Sequence, residues 1–246
     1  MMTFLIGLEG GIHNTMYFVL PGLLVFGYMM HFMPEYKRVN IEHALKQATA
    51  KAKQEAAKLS YFGLGLLLFF IFMRSTIHTG MSTYLPLFFM KFRDCEPVFA
   101  SLLVTVFLLG GVAGTYIGAV LSDRLGARAI IFGSMVLSIP PIWALDMVYT
   151  EFAIVAAVGL AGFFIIGSNA TTIVLAQTML PNNVGMAAGL TIGFSVGLGG
   201  LGVTILGVLA DNFGLPFVIQ LLTWLSIGSA LVTLKIPIPE SMRKKF

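Results

Sequence analysis

Apolar residues in this chain form long unbroken runs, with the polar positions gathered between them. A helix needs about 20 apolar residues to cross a hydrocarbon core. Seven runs meet that length: 12–32, 61–90, 98–121, 129–148, 151–178, 184–209 and 215–236. Lipid offers no partner for backbone N–H and C=O groups, so each run is predicted to be a transmembrane helix. Residues 1–9 are apolar but too short to span, and read as the tail of a further span. The longest polar stretch, 33–60, contains IEHALKQATAKAKQEAAKL, rich in strong helix formers. Glu42 and Lys46 in it are spaced for an i,i+4 pair. It is predicted to be a basic helix at the headgroup level, joining two bundles.

Composition agrees with that pattern. Of 246 residues, 57% are hydrophobic and 11% charged, against about 25% charged in a soluble domain. The mean hydropathy is +0.91, so the chain belongs to the membrane class. The single cysteine, Cys95, has no partner for an internal disulfide. Residues 1–8 lack the basic region and cleavage site of a signal peptide. His13, His31 and His43 show no metal-ligand spacing, and no nucleophile–base pair or phosphate-cradling glycine loop occurs. The absence of G-x-x-x-x-G-K-[ST] argues against ATP as an energy source. These observations point away from an enzyme, and from cofactor, metal or nucleic acid as partners. The lipid bilayer is the partner they require.

Charge sets the orientation. Lys37, Arg38, Lys46, Lys51, Lys53 and Lys58 lie in the linker, Arg124 and Arg128 follow the third run, and Lys235, Arg243, Lys244 and Lys245 close the chain. These fall on one side if every run crosses once, whereas the other side holds only Lys91 and Arg93. The positive-inside rule then places the linker, the 122–128 loop and the C-terminus in the cytoplasm. Asp94, Glu96, Asp146 and Glu151 sit at outer ends and read as solvated charges.

Two loops echo each other. Leu121-Ser-Asp123-Arg-Leu-Gly126 follows the third run, and Leu209-Ala-Asp211-Asn-Phe-Gly214 follows the sixth. If the last six runs form two triplets, Asp123/Gly126 and Asp211/Gly214 occupy equivalent turns on opposite membrane faces. That is the signature of an inverted repeat. Gly126 allows a tight turn, and Asp123 is placed to accept hydrogen bonds from the start of the next helix. Leu121, Asp123, Arg124, Gly126 and Arg128 then form either a plain turn or a conformational gate.

Few residues inside the runs carry chemistry. Arg74 lies mid-run, where a charge is costly and faces a cavity or a partner. His78 is one turn on, on the same face, and titrates near neutral pH. Asn169 and Gln177 lie within the fifth run, as cavity lining or interhelical hydrogen bonds. Arg74, His78, Asn169 and Gln177 are therefore the candidates for substrate contact or proton coupling. No acidic residue inside these spans can pair with Arg74. Gly185, Gly189, Gly193 and Gly197 recur every four residues and, with Gly200, predict either close helix packing or a hinge.

The 118–128 loop resembles the G-x-L-A-D-R-x-G-R-K motif of the major facilitator superfamily at Leu121, Asp123, Arg124, Gly126 and Arg128. It departs at Ala119 and Ala127, as the second, looser copy of that motif does. The residues Gln177, Leu180, Pro181, Gly185, Met186, Gly189, Gly193, Gly197, Gly199, Gly200, Leu201, Gly202, Leu206, Gly207, Ala210 and Asp211 are similar to the tenth and eleventh helices of the fosmidomycin resistance family. The resemblance covers most of 60–215. It implies an all-α polytopic membrane protein: a major-facilitator six-helix bundle of two inverted three-helix repeats, preceded by one extra transmembrane helix. Residues 1–32 would end an N-terminal bundle, 33–60 form the linker, and 61–246 form the C-terminal bundle.

The function implied is the C-terminal half of a secondary-active exporter, coupled to protons and moving a drug or small molecule, incomplete without an N-terminal half. The alternatives are a half-size transporter working as a parallel homodimer with a second copy of itself, and a non-transporting scaffold that retains the fold.

Overall fold

A computed structural model describes residues 61–180 and 183–237. The expected span 12–32 and the 33–60 linker lie outside the described residues. Seven helices follow: α1 (Tyr61–Phe92), α2 (Pro97–Leu125), α3 (Ala127–Ala144), α4 (Glu151–Gly167), α5 (Asn169–Met179), α6 (Val184–Phe213) and α7 (Leu215–Lys235). They make six apolar crossings, because α4 and α5 are two pieces of one 29-residue span broken at Ser168. All six runs predicted within this region are present, and no strand occurs among the described residues.

The two triplets, α1–α3 and α4–α7, pack reciprocally. The second helix of each lies against the first of the other: α2 on α4, and α6 on α1. The first of each meets the third of the other, and the thirds, α3 and α7, meet each other. The turns between second and third helices share one geometry. Gly126 has φ 87° and ψ 153°, and Gly214 has φ 85° and ψ 164°. Only glycine adopts that region readily, which accounts for the repeated Asp-x-x-Gly. Each glycine N–H returns to the last turn of the preceding helix, on Ser122 and Ala210 respectively, at 2.9 Å.

Close approach in this bundle rests on a different glycine ladder from the expected one. A Cβ on Gly110, Gly114 or Gly118 of α2 would overlap the carbonyl oxygens of Gly159, Phe163 and Gly167 on α4 and at its end. Gly162 of α4 likewise leaves room only for the carbonyl of Phe107. The reciprocal contact on the other side seats Gly199 and Gly202 of α6 against Ser75, Thr76 and Thr79 of α1. By contrast, a Cβ on Gly185, Gly189, Gly193, Gly197 or Gly200 meets nothing within 4 Å among the described residues. Four-residue spacing reports a smooth face but not whether another helix lies on it, so packing inside this bundle is not the role of those five glycines. We expect Gly193→Ala to leave the unfolding of the purified bundle within about 0.5 kcal/mol of wild type. Denaturation followed by helical circular dichroism tests this.

The α2 and α6 faces that point away from the bundle are apolar and uncovered. Leu109, Val112 and Tyr116 on α2 and Val196, Leu201 and Ile205 on α6 are all exposed. Inside, two apolar cores sit at opposite ends of the spans. One gathers Met81, Leu85, Phe88, Leu103, Ile142, Ile154, Val158 and Leu222. The other gathers Leu67, Phe70, Ile71, Ile131, Met135, Leu175 and Ala230. On five of the six spans, the residues between the two cores include buried Ser, Thr or Arg side chains, among them Arg74, Ser75, Ser138, Ser168, Thr172, Thr191 and Ser226. The bundle thus has a polar layer near mid-span.

Arginines tie the two ends. Arg128, at the start of α3, donates from Nη2 to the carbonyl of Ile236 just past α7, at 2.8 Å. A cation at a helix C-terminus is favoured by the helix dipole. At the opposite end Arg93 donates to the carbonyls of Leu145 (3.3 Å) and Asp146 (2.9 Å) and lies 4.1 Å over the ring of Tyr149. Both contacts join loops that single crossings would bring to the same face.

Asp146 departs from the reading of a solvated charge. Burial raises its carboxyl above the usual aspartate range, partly offset by a hydrogen bond from Gln220 and by the Arg93 charge. With the folded pKa raised, its contribution to stability is complete below the unfolded value, about 3.9. It is lost as pH rises through the folded value. Asp146→Asn should remove that part of the stability–pH curve. Thermal midpoints of both proteins from pH 4 to 8 test it, and parallel curves would refute it.

Candidate functional site

The polar layer centres on one interhelical hydrogen bond. Arg74 of α1 donates from Nη2 to Oδ1 of Asn169, the first residue of α5, at 3.0 Å. Arg74 is 3% exposed, and no acidic side chain pairs with it among the described residues. The bond joins the first helix of one triplet to the broken span that opens the other. Burying an unneutralised guanidinium costs several kcal/mol or more at mid-membrane, of which a single neutral amide offsets only part.

The break in the α4–α5 span explains why Asn169 is available. Ser168 has φ −84° and ψ −1°, and no side chain caps either flanking helix there. Buried Ser and Thr in membrane helices usually turn back to a carbonyl three or four residues earlier. Thr172 does so, to Ser168 at 2.7 Å, as do Ser134, Ser138, Thr191, Ser226 and Thr233. Ser168 Oγ and Thr171 Oγ1 do not, and neither has a partner among the described residues. Arg74 Nε is also without one. Three of the five buried polar side-chain atoms left unbonded among the described residues therefore belong to Arg74 or to residues flanking Asn169.

The four expected site residues separate into a pair and two outliers. Arg74 and Asn169 meet. His78, one turn along α1, stacks its ring on Phe107 of α2, with centroids 5.8 Å apart. Gln177 is half-buried two turns further along α5, beyond the Leu175 and Ala176 layer. Sequence reading missed the serines that complete the layer. Ser75 donates to the carbonyl of Ser195 on α6, and Ser195 Oγ donates to Ser75 Oγ at 3.3 Å. The available signal was that Ser or Thr recurs near the middle of several apolar runs. Tyr84 supports the same contact from further out, donating to the Val203 carbonyl at 2.8 Å.

At the loop, Asp123 and Arg124 are exposed and make no ion pair among the described residues. The expectation that Asp123 caps the next helix is not met: α3 begins at Ala127, with Gly126 at its N-cap and no side-chain cap. The positive-φ backbone at Gly126 carries the turn, and Arg128 alone of the motif reaches across the bundle. Asp211, the residue equivalent to Asp123, is likewise exposed.

No family model matches the chain. Two curated proteins are similar to it. The fosmidomycin resistance protein of Escherichia coli (strain K12) is 27% identical over 234 residues, covering 94% of this chain and 56% of that protein. The uncharacterized MFS-type transporter YfnC of Bacillus subtilis (strain 168) is 33% identical over 141 residues, covering 57% of this chain and 34% of that protein. The chain thus spans about half the length of the first relative and a smaller part of the second. With six apolar crossings and reciprocal triplets, the chain is a multi-pass membrane protein with a major-facilitator-like helical bundle, similar over part of their length to the fosmidomycin resistance protein and to an MFS-type transporter.

Proposed function

We propose that the described helices are one bundle of a secondary-active exporter that moves a small molecule out of the cell in exchange for protons. The observation that carries this is the buried Arg74–Asn169 contact in a polar layer between two apolar cores. A structural bundle gains nothing from an unneutralised charge there, whereas a carrier needs polar groups at the level where both membrane faces take turns to reach. His78, one turn away, is the titratable group we assign to proton coupling, and Gln177 we assign to the inner approach.

A second bundle is required to enclose the site. The uncovered apolar faces of α2 and α6 fit such a neighbour, with the smooth Gly185–Gly189–Gly193–Gly197 face opposed to it. We assign that bundle to an N-terminal half, with 1–32 closing it, 33–60 linking from the cytoplasmic side, and 61–246 forming the C-terminal bundle. The Leu121–Arg128 loop would gate the cytoplasmic face of an inner-membrane protein. A parallel pair of identical chains would cover the same faces. Cysteine cross-linking between Val196 positions separates the two: a disulfide-linked dimer of this chain favours the homodimer.

The substrate reading follows the relative named for fosmidomycin resistance. Cells expressing the natively encoded protein should accumulate less fosmidomycin than cells without it, and a protonophore should abolish the difference. Equal accumulation of fosmidomycin and of a panel of unrelated drugs, at good membrane expression, would favour a scaffold.

A further inference from the structure

Resting on the carrier reading above, we propose that Arg74 and the start of α5 form a subsite for an anionic group on the transported molecule, a phosphonate, phosphate or carboxylate. The unmet hydrogen-bonding capacity fixes the sign. Arg74 Nε can only donate, and it is buried without an acceptor. Ser168 and Thr171, close to Asn169 in the chain, also have buried hydroxyls without a partner among the described residues, and each has a proton it can give. The acceptor already present, Asn169 Oδ1, is neutral and occupies only Nη2. What the site lacks is an acceptor-rich group carrying negative charge.

The guanidinium itself suits such a group. Its Nη2 is held by Asn169, the first residue of α5, and a guanidinium matches carboxylate and phosphonate oxygens two at a time. A cation would meet like charge at this position. A neutral ligand would leave the Arg74 charge uncompensated at mid-span. Asn169 acts as a positioning residue: it accepts from Nη2 while the Nε–H is left without an acceptor among the described residues.

The test uses one ring with four head groups: phenylphosphonate, benzoate, benzyl alcohol and benzylamine, each added at millimolar concentration to the natively encoded protein in detergent. We expect the two anions to raise the thermal midpoint by about 2–4 °C near saturation, with no shift from the alcohol or the amine. Arg74→Gln should weaken phenylphosphonate binding about tenfold or more, and Arg74→Lys by less. Equal shifts from all four probes would overturn the proposal, and so would no shift from either anion. The second result would mean that a carboxylate of another segment already fills the position. These arms need no variant, so a misfolded Arg74→Gln does not blunt them. Normal export by a folded Arg74→Gln protein would overturn the subsite and spare the carrier reading. Anion-selective binding in a protein that moves no solute would overturn the carrier reading and spare the subsite.

Discussion

Gly114→Ala should be among the most destabilising single-methyl additions in the bundle, costing about 3 kcal/mol. The added carbon would occupy the place of the Phe163 carbonyl oxygen, and a backbone oxygen cannot swing aside as a side chain can. Relief requires α2 and α4 to move apart along their whole contact. That would also loosen Gly110 and Gly118, each seated on an α4 carbonyl one turn away, and the Thr115 hydroxyl that reaches the Ile166 carbonyl at 3.3 Å. The intrinsic helix preference for alanine over glycine, about 1 kcal/mol, works in the opposite direction and is outweighed. Denaturation in mixed micelles, followed by circular dichroism, should show the midpoint falling well below that of Gly193→Ala. Similar midpoints for the two would mean that α2 and α4 do not touch through backbone.

The second large effect concerns the polar pair. Asn169→Leu should destabilise the bundle by about 2–3 kcal/mol, because it strands a buried charge that has lost its one hydrogen-bonded acceptor. Arg74→Met should cost less than about 1 kcal/mol and can even stabilise, since it removes the charge and keeps an apolar stem of similar length. The double variant should resemble Arg74→Met alone. Export should nevertheless be lost in all three. Stability and transport would then part company at one residue, the mark of a side chain kept for its function. If Arg74→Met instead unfolded the protein while Asn169→Leu did not, the contact would be a structural brace and the site would lie elsewhere.

Much of the architecture was legible because lipid imposes a simple rule. A run of about 20 apolar residues has few alternatives to a spanning helix, and the six runs within the described region are all present. The turn glycines were legible too, since Asp-x-x-Gly repeated at equivalent places, and Gly126 and Gly214 share one backbone conformation. The break at Ser168 was not. Ser168 and Asn169 are only mildly polar, and nothing in FFIIGSNATTIVL separates a continuous helix from two stacked pieces. The glycine row of α6 was singled out, as packing or a hinge, and the row of α2 was passed over for a related reason. Both α2 and α6 carry glycines four residues apart, but only tertiary structure tells which row has a neighbour. Arg74 was recognised from its position alone. Its partner was sought among carboxylates, whereas an amide 95 residues away supplies the contact. Asn169 was singled out separately, with no local signal to join the two.

The ties made by Arg93 and Arg128 have a mechanical consequence. One fastens the loop after α1 to the loop after α3, and the other fastens the start of α3 to the end of α7. With clips at opposite ends, a backbone-level seam between α2 and α4 and α1 side chains seated on the α6 glycines, the bundle has little internal compliance. It is a lever rather than a spring. Any stroke must then be taken at its outer faces, on α2 and α6, where the smooth glycine row offers a surface over which a neighbour can slide.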